Sequence, residues 1–401
     1  MEAAALEGSF PPLKGRTIAA GSAKEDLPFP SAAAMIRPDQ STAATNILQN
    51  MAAVYRLPTP VRILRNHAAE LKMIFLTFII IYVTIPFAFK MCPIIVTKIV
   101  YFNLLQRPFI NFKQPANYLL NHTLNLYLTP EEGITVGVWY TIPDKRWQEA
   151  SGKDQQWYEA ALGDDNPVIV YLHGNGGSRA EGHRVELVKM LSAHGFHVLA
   201  LDYRGWADST GEPSEAGITT DSLYLFEWTR ARSRKSPVCL WGHSLGSGVA
   251  SNTARSLYEK VGSPADAVIL ESPFTSLREE VAHHPFSKYY KFFPGFEWFF
   301  MDTITENNIF FHNVENLKSI STPVLILHAE DDDIIPFKLG KKRVCRDHVQ
   351  ILNSDMDNGT VQFCCIHYKS ILHLLRLLFS LALNNCVPSF VCSKAEIQKL
   401  Y

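Results

Sequence analysis

From about Asn125 onward, short apolar runs alternate with segments whose apolar residues recur at helical spacing. Ile134 to Tyr140 alternates like an early strand. Residues 144–165 are polar and predict a hairpin or loop insertion. Pro167 to Leu172 is a continuous apolar run, the pattern of a strand buried on both faces. Val185, Leu187, Val188, Met190 and Leu191 mark a helix. Strand His197–Leu201, helix Thr219–Arg230 and strand Pro237–Trp241 follow, then a helix from Gly246 to Lys260. Further strands are predicted at Ala267–Leu270 and Pro323–Leu327. This alternation predicts right-handed β-α-β units, and so an α/β chain with a mostly parallel central sheet and helices on both faces.

The preceding residues follow other patterns. Residues 1–55 are rich in Ala, Pro, Ser and Thr, lack periodicity and predict a disordered arm. No apolar stretch begins near Met1, which argues against a cleaved signal peptide. Met73 to Phe89 is an uncharged apolar run bounded by Lys72 and Lys90. Its length is at the short end of the ~17–25 residues that span a bilayer, and it predicts a transmembrane helix over residues 73–91. A buried core helix is the competing reading. Against it, the run lies outside the α/β block and is apolar on every face. Pro86 is tolerated in lipid, and Met91–Val96 either lengthens the span or forms an interfacial piece. Arg56, Arg62, Arg65 and Lys72 precede the run and Lys90, Lys98 and Arg107 follow it, a slight lean to a cytosolic N-terminus. Asn121-His122-Thr123 and Asn358-Gly359-Thr360 are glycosylation sequons. Asn121, just after the span, favours a lumenal or extracellular catalytic domain.

Composition narrows the field. Apolar residues make up 47% of the 401, ample for a core. A net charge of −1 gives no electrostatic footprint for nucleic acid. Five of the seven cysteines crowd the last sixty residues, without the spacing of a zinc site.

The chemistry sits at strand ends. Gly242-His243-Ser244-Leu245-Gly246 lies between an apolar run and a helical pattern, the strand–turn–helix setting of a nucleophile elbow. Small residues must flank such a serine, and Gly242, Gly246 and Gly248 do so. His173-Gly174-Asn175-Gly176-Gly177 follows a strand, and its glycines let backbone N–H groups approach a ligand. An oxyanion hole would take one N–H from Asn175 or Gly176 and another from Leu245. Downstream, Asp331-Asp332-Asp333-Ile334-Ile335-Pro336 supplies an acid in the chain order Ser…Asp…His. Spacing to the proline picks Asp332 and leaves Asp331 and Asp333 to cap the turn.

Tyr171 to Asn175, Asp202 to Gly205, Gly242 to Gly246 and Leu327 to Asp332 together resemble the α/β-hydrolase domain-containing protein 12 and 12B subfamily. Gly137-Val138-Trp139, Glu271 to Thr275 and Phe293 to Phe296 extend the resemblance, which runs from roughly Leu71 to Lys342. It implies an α/β-hydrolase fold and a membrane-anchored serine hydrolase of the endoplasmic reticulum with a lumenal catalytic domain. The substrates implied are acyl esters of lysophospholipids, such as lysophosphatidylserine, or monoacylglycerols. No metal or organic cofactor is required. The hydrolase domain is expected over residues 115–342, with an aromatic lid near 273–311 and a divergent tail over 343–401.

Within the tail, Val361–Ile366 is the candidate last strand, Leu372–Ala382 the candidate last helix, and His367 between them the candidate base. His348 precedes the strand and His373 falls within the helix, so both suit that place less well. His173, His243 and His328 read as structural, and Asp202-Tyr203-Arg204-Gly205 as a positioning segment. Two rivals stand beside the hydrolase: a lipid-binding or interaction protein that has lost its working histidine, and a peptidase.

Overall fold

The computed structural model describes residues 45–46, 60–104, 110–329, 331–341 and 349–354. The chain divides between Leu76 and Thr77 into two compact units. Helix α1, Pro60–Met91, contains Pro86. Its stretch His67–Met91 is the one helix among the described residues long and apolar enough to cross a membrane, and very little of it is buried. Helix α2, Pro93–Tyr101, follows at once, with Pro93 at its first position, where no N–H is needed.

The larger unit is built on an eight-stranded sheet. Its strands are β1 Thr123–Glu131, β2 Ile134–Thr141, β3 Val168–Leu172, β4 His197–Asp202, β5 Val238–His243, β6 Ala267–Glu271, β7 Val324–Ala329 and β8 Val349–Ser354. Their spatial order is β1-β2-β4-β3-β5-β6-β7-β8. The β1–β2 and β2–β4 pairs are antiparallel; every other pair is parallel. Each strand predicted between Ile134 and Leu327 by its apolar run is present, with ends shifted by a residue or two.

Alternate side chains of β3 enter two separate cores. Val168, Val170 and Leu172 join Leu225 and Phe226 of helix α4 (Glu215–Arg230) and Val249 and Ala250 of helix α5 (Leu245–Ser256). Ile169 and Tyr171 join Val185, Val188 and Leu191 of helix α3 (Gly182–Ala193). Covering both faces explains why β3, β4 and β7 are wholly buried and read as unbroken apolar runs. Helix α4 starts four residues before its predicted beginning because Ser214 caps it, accepting from Gly217 N–H at 3.1 Å.

One prediction is corrected. Residues 144–165 are not a hairpin: they form short helical turns at Asp144–Arg146 and Trp147–Ala150 and a helix at Gln155–Ala161. Asp154 caps the last of these, and its Tyr158 and Ala161 are buried, an apolar contact masked by polar neighbours. Beside β7 lies β8, Val349–Ser354, a strand that the sequence pattern did not predict. Val361–Ile366, His348, His367, His373 and the Asn358 sequon lie outside the described residues, as do residues 1–44.

Between β6 and β7 the β-α alternation is interrupted. Helix α6, Leu277–His283, leads to short turns at Pro285–Tyr289 and Glu297–Met301, then to Asp302–Glu306 and helix α7, Asn313–Ser319. Among the aromatics here, Tyr290, Phe296, Phe299 and Phe300 are buried, whereas Phe286, Tyr289, Phe292 and Trp298 are exposed.

Candidate active site

Ser244 occupies the abrupt turn from β5 into α5, with φ 51° and ψ −116°. A positive φ on a non-glycine residue is uncommon and costs backbone energy, so the surroundings must impose it. Ser244 N–H donates to the Glu271 carbonyl at 2.9 Å, and its own carbonyl accepts from Ser247 N–H at 2.8 Å. Packing leaves no room beside it. A Cβ on Gly242 would lie 2.1 Å from the Gly246 carbonyl oxygen, and one on Gly246 would lie 2.0 Å from that of Leu172.

The loop after β3 lies directly on this turn: a Cβ on Gly174 would sit 3.2 Å from Ser244 Cβ. Its shape is set by a buried arginine that the sequence did not single out. Arg184 of α3 donates to the Ser178 carbonyl at 2.8 Å and the Gly176 carbonyl at 2.9 Å, and reaches the Gly174 carbonyl at 3.5 Å. Tying these carbonyls to one guanidinium fixes the orientation of the intervening peptides. Gly176 N–H donates to the Tyr101 carbonyl at 3.4 Å, while Asn175 is exposed and its side-chain amide reaches the Val100 carbonyl at 3.5 Å. Leu245 is buried and opens α5.

Beneath the loop lies a charged cluster. Asp202, at the end of β4, accepts from Arg179 N–H at 2.7 Å and from Arg179 Nη1 at 2.5 Å. Arg179 also bonds Asp208 and Asn125, and its guanidinium lies over the Phe112 and Trp139 rings. Removing one partner from such a buried pair typically costs about 3–5 kcal/mol. His173 Nε2 is 3.2 Å from Asp202 Oδ1. Burial, aided by the nearby Arg184 charge, holds the His173 pKa below its ordinary value, and Asp202 opposes without reversing this. Arg204 is paired with Asp221 and Glu131. The segment Asp202–Gly205 is thus tied into structure, as its sequence suggested.

Asp332 follows β7. Its Oδ1 accepts from Ile334 N–H at 3.0 Å and Ile335 N–H at 2.9 Å. The capping assigned to Asp331 and Asp333 therefore belongs to Asp332 itself. Asp331 and Asp333 are exposed. Partial burial pushes the Asp332 pKa up, but hydrogen bonds from His328, Ile335, Ile334 and Ser272 outweigh it and hold the carboxyl below the usual range. His328 Nε2 lies 2.8 Å from the Ile335 carbonyl oxygen and 3.5 Å from Asp332 Oδ2, a supporting position.

Ser244 and Asp332 meet around one residue pair. Ser244 N–H bonds the Glu271 carbonyl, and the neighbouring Ser272 side chain helps hold the Asp332 carboxyl below its usual range. Ser272 also has a positive φ, 45°, and its N–H donates to the Leu327 carbonyl of β7 at 2.8 Å. His243 is half-buried, with a pKa lowered by desolvation against the pull of the Glu271 and Asp332 carboxylates. It is suited to packing rather than proton transfer. Asn121 is exposed in the turn before β1. Among the described residues no group of three or more His, Cys, Asp and Glu side chains could hold a metal.

This sheet order, with an antiparallel second strand and a strained serine closing β5, defines a hydrolase of the α/β-hydrolase fold. A family model for that fold matches residues 167–314. Solved structures agree on the fold: an α/β hydrolase from Vibrio vulnificus, 17% identical, aligns with TM-score 0.51 over 74% of this chain and 94% of its own. The Pyrococcus furiosus esterase Pf2001, also 17% identical, gives 0.50 over 69% and 96%. The lysophosphatidylserine lipase ABHD12 of Rattus norvegicus is 55% identical over 274 residues, 68% of this chain and 69% of the relative. That of Xenopus tropicalis is 54% identical over 275 residues, covering 68% and 71%. Protein ABHD12B of Homo sapiens is 51% identical over 248 residues, covering 62% and 68%. The chain belongs to the ABHD12 and ABHD12B family of α/β-hydrolases.

Proposed function

We propose that this chain is a membrane-anchored serine hydrolase that cleaves acyl esters of lysophospholipids of the lysophosphatidylserine kind, with monoacylglycerols as a second substrate. The observation that carries the reading is Ser244 held at positive φ at the end of β5, against the loop after β3 and bonded to the Glu271–Ser272 pair that ties β6 to β7. The substrate class rests on the lysophosphatidylserine lipases to which the chain is similar.

The His367 imidazole accepts the Ser244 Oγ proton as Oγ attacks the ester carbonyl carbon. Asp332 orients the imidazole and stabilises its charged form. The carbonyl oxygen becomes an oxyanion bound by the N–H groups of Leu245 and Asn175. Asn175 is preferred to Gly176 because the Gly176 N–H is already directed at Tyr101. The intermediate collapses, and the departing alkoxide takes the proton from His367. Water then attacks the acyl-enzyme, gives its proton through His367 to Ser244 Oγ, and releases the fatty acid. The chain leaves β8 at Ser354, at the same end of the parallel strands as Ser244 and Asp332, and His367 is the first histidine after it.

The aromatic segment near residues 273–311 is the lid. With residues 73–91 as the membrane anchor, the hydrolase domain lies in the lumen of the endoplasmic reticulum and Asn121 is open to glycosylation. Hydrolysis of lysophosphatidylserine by the wild type and by His367→Ala tests the triad. Loss of most turnover with retained folding is expected. An active wild type indifferent to the change would remove His367 from the mechanism. A wild type that binds lysolipid without hydrolysing it would leave a lipid-binding protein. Endoglycosidase treatment and protease protection test the topology.

A further inference from the structure

The aromatic segment between β6 and β7 packs along the last turns of α1. The Tyr82 ring stacks on Tyr290 with centroids 4.7 Å apart, and its hydroxyl donates to the Tyr289 carbonyl at 2.8 Å. Phe87 meets Phe299 at 4.8 Å, and Phe89 meets Phe300 at 5.1 Å. Lys90 closes the series: its Nζ is 2.6 Å from Glu306 Oε2 and 4.7 Å from the Trp298 ring centre. From Tyr82 to Lys90 is about 12 Å along a helix axis.

The other side of this segment is bare. Phe292 is 92% exposed, Tyr289 72%, Phe286 53% and Trp298 51%, and exposed Lys288 and Lys291 stand between them. In water such a cluster is costly. Aromatic rings with lysines beside them are the composition of the membrane interface, where rings enter the acyl boundary and ammonium groups reach back to the phosphates.

The docking on α1 fixes where the bilayer must be. If the apolar boundary were drawn at Tyr82, so that the segment stayed in water, only Met73–Tyr82 of the uncharged run would be left to span. That is about 15 Å of helix, far short of the ~30 Å hydrocarbon core. If the boundary lies near Lys90, whose charge is met by Glu306, the span is long enough. The segment then sits beside α1 within the leaflet. Its backbone tolerates this position. The amides of Ser287, Tyr290, Lys291, Phe293 and Phe296 are bonded within the local turns, and the Tyr289 carbonyl is bonded to Tyr82.

We infer that residues 285–300 lie in the headgroup–acyl boundary of an anionic lipid leaflet, beside α1, on the side of the membrane that carries the hydrolase domain. Lipid substrate then reaches the site sideways from that leaflet, not from water. The inference rests on the proposed anchoring by α1, and its test separates the two. Full-length Phe292→Trp is reconstituted in phosphatidylcholine–phosphatidylserine vesicles with and without bromine at the middle of the acyl chains. The emission added by Phe292→Trp is expected to be shifted to the blue and to fall by about half or more with brominated chains. Release of the protein by alkaline carbonate would overturn the anchoring and the inference together. Retention with an unquenched, water-like emission would overturn the inference alone.

A second variant reads the functional consequence. Tyr289→Ser with Phe292→Ser should lower hydrolysis of long-chain lysophosphatidylserine in vesicles about fivefold or more, while a soluble short-chain ester changes less than about twofold. Equal loss on both substrates would make the segment merely structural. Lys288→Glu with Lys291→Glu should abolish any gain in rate with the phosphatidylserine content of the vesicles. A gain that survives would overturn the anionic preference.

Discussion

The turn around Ser244 and the aromatic segment over residues 285–306 are held by different forces. At the turn, backbone meets backbone: the contacts that fix it are a carbonyl 2.0 Å from the place of a Gly246 Cβ and one 2.1 Å from that of Gly242. No side chain fits, so the residues there are dictated one by one. In the aromatic segment, ring meets ring at 4.7 to 5.1 Å along α1, and four of its nine rings are exposed. Only the kind of residue is dictated there. A rigid site that positions charge needs the first arrangement, and a surface that meets fluid lipid is served by the second.

Substitution should expose the difference. Gly246→Ala is expected to destabilise the domain by about 3 kcal/mol or more, since the clash is with backbone, and to end reaction at Ser244. Phe292→Ser, at an exposed ring, should stay within about 0.5 kcal/mol of wild type. Thermal unfolding of both variants, read alongside labelling of Ser244, checks the pair. Similar melting shifts would contradict the contrast.

Within the rigid half, Asp332→Asn keeps shape and removes charge. Turnover should fall by about 10³–10⁴ with little change in melting, because an amide cannot stabilise a protonated imidazole. A loss below tenfold would point to another acid. Arg184→Met releases the carbonyls of Gly174, Gly176 and Ser178. It should cost about 10–10² in kcat, leave KM nearly unchanged, and be partly rescued by Arg184→Lys. A loss confined to KM would assign Arg184 to binding instead.

The smallest effect concerns α6, at the border of the aromatic segment. Burial raises the Glu280 pKa to about 7. Its unfolded value is about 4.3. The folded chain therefore keeps a proton that the unfolded chain has lost, and stability falls as pH rises from about 4.3 to about 7, then levels off. Glu280→Gln should be neutral near pH 4.5 and stabilising near pH 8 by an amount on the order of 1–3 kcal/mol. A gain independent of pH would mean that the Glu280 charge is not its source.

The same contrast explains what the sequence disclosed. The motif around Ser244 and the spacing from Asp332 to Pro336 are local, because one backbone turn demands each, and the buried strands betrayed themselves as unbroken apolar runs. Arg184 and Arg179 gave no such signal. Each is a single charged residue in or beside a helical pattern, and its role depends on carbonyls and carboxylates that folding brings to it. Ser272 stood within the motif Glu271 to Thr275, but its positive φ was not legible, since it arises from strand neighbours. Residues 144–165 misled because polar composition hid the buried Tyr158 and Ala161. The aromatic segment was visible as composition, but not which rings turn inward. In the tail, β8 was not legible, because polar residues interrupt the short apolar pattern of Val349–Ser354.

The central claim is that Ser244 is a nucleophile activated by its setting. Full-length wild type and Ser244→Ala, treated with a fluorophosphonate and measured as intact mass, test it most directly. The account predicts one phosphonyl adduct on the wild type, none on Ser244→Ala, and equal melting temperatures for the two. An adduct of equal yield on Ser244→Ala would contradict it.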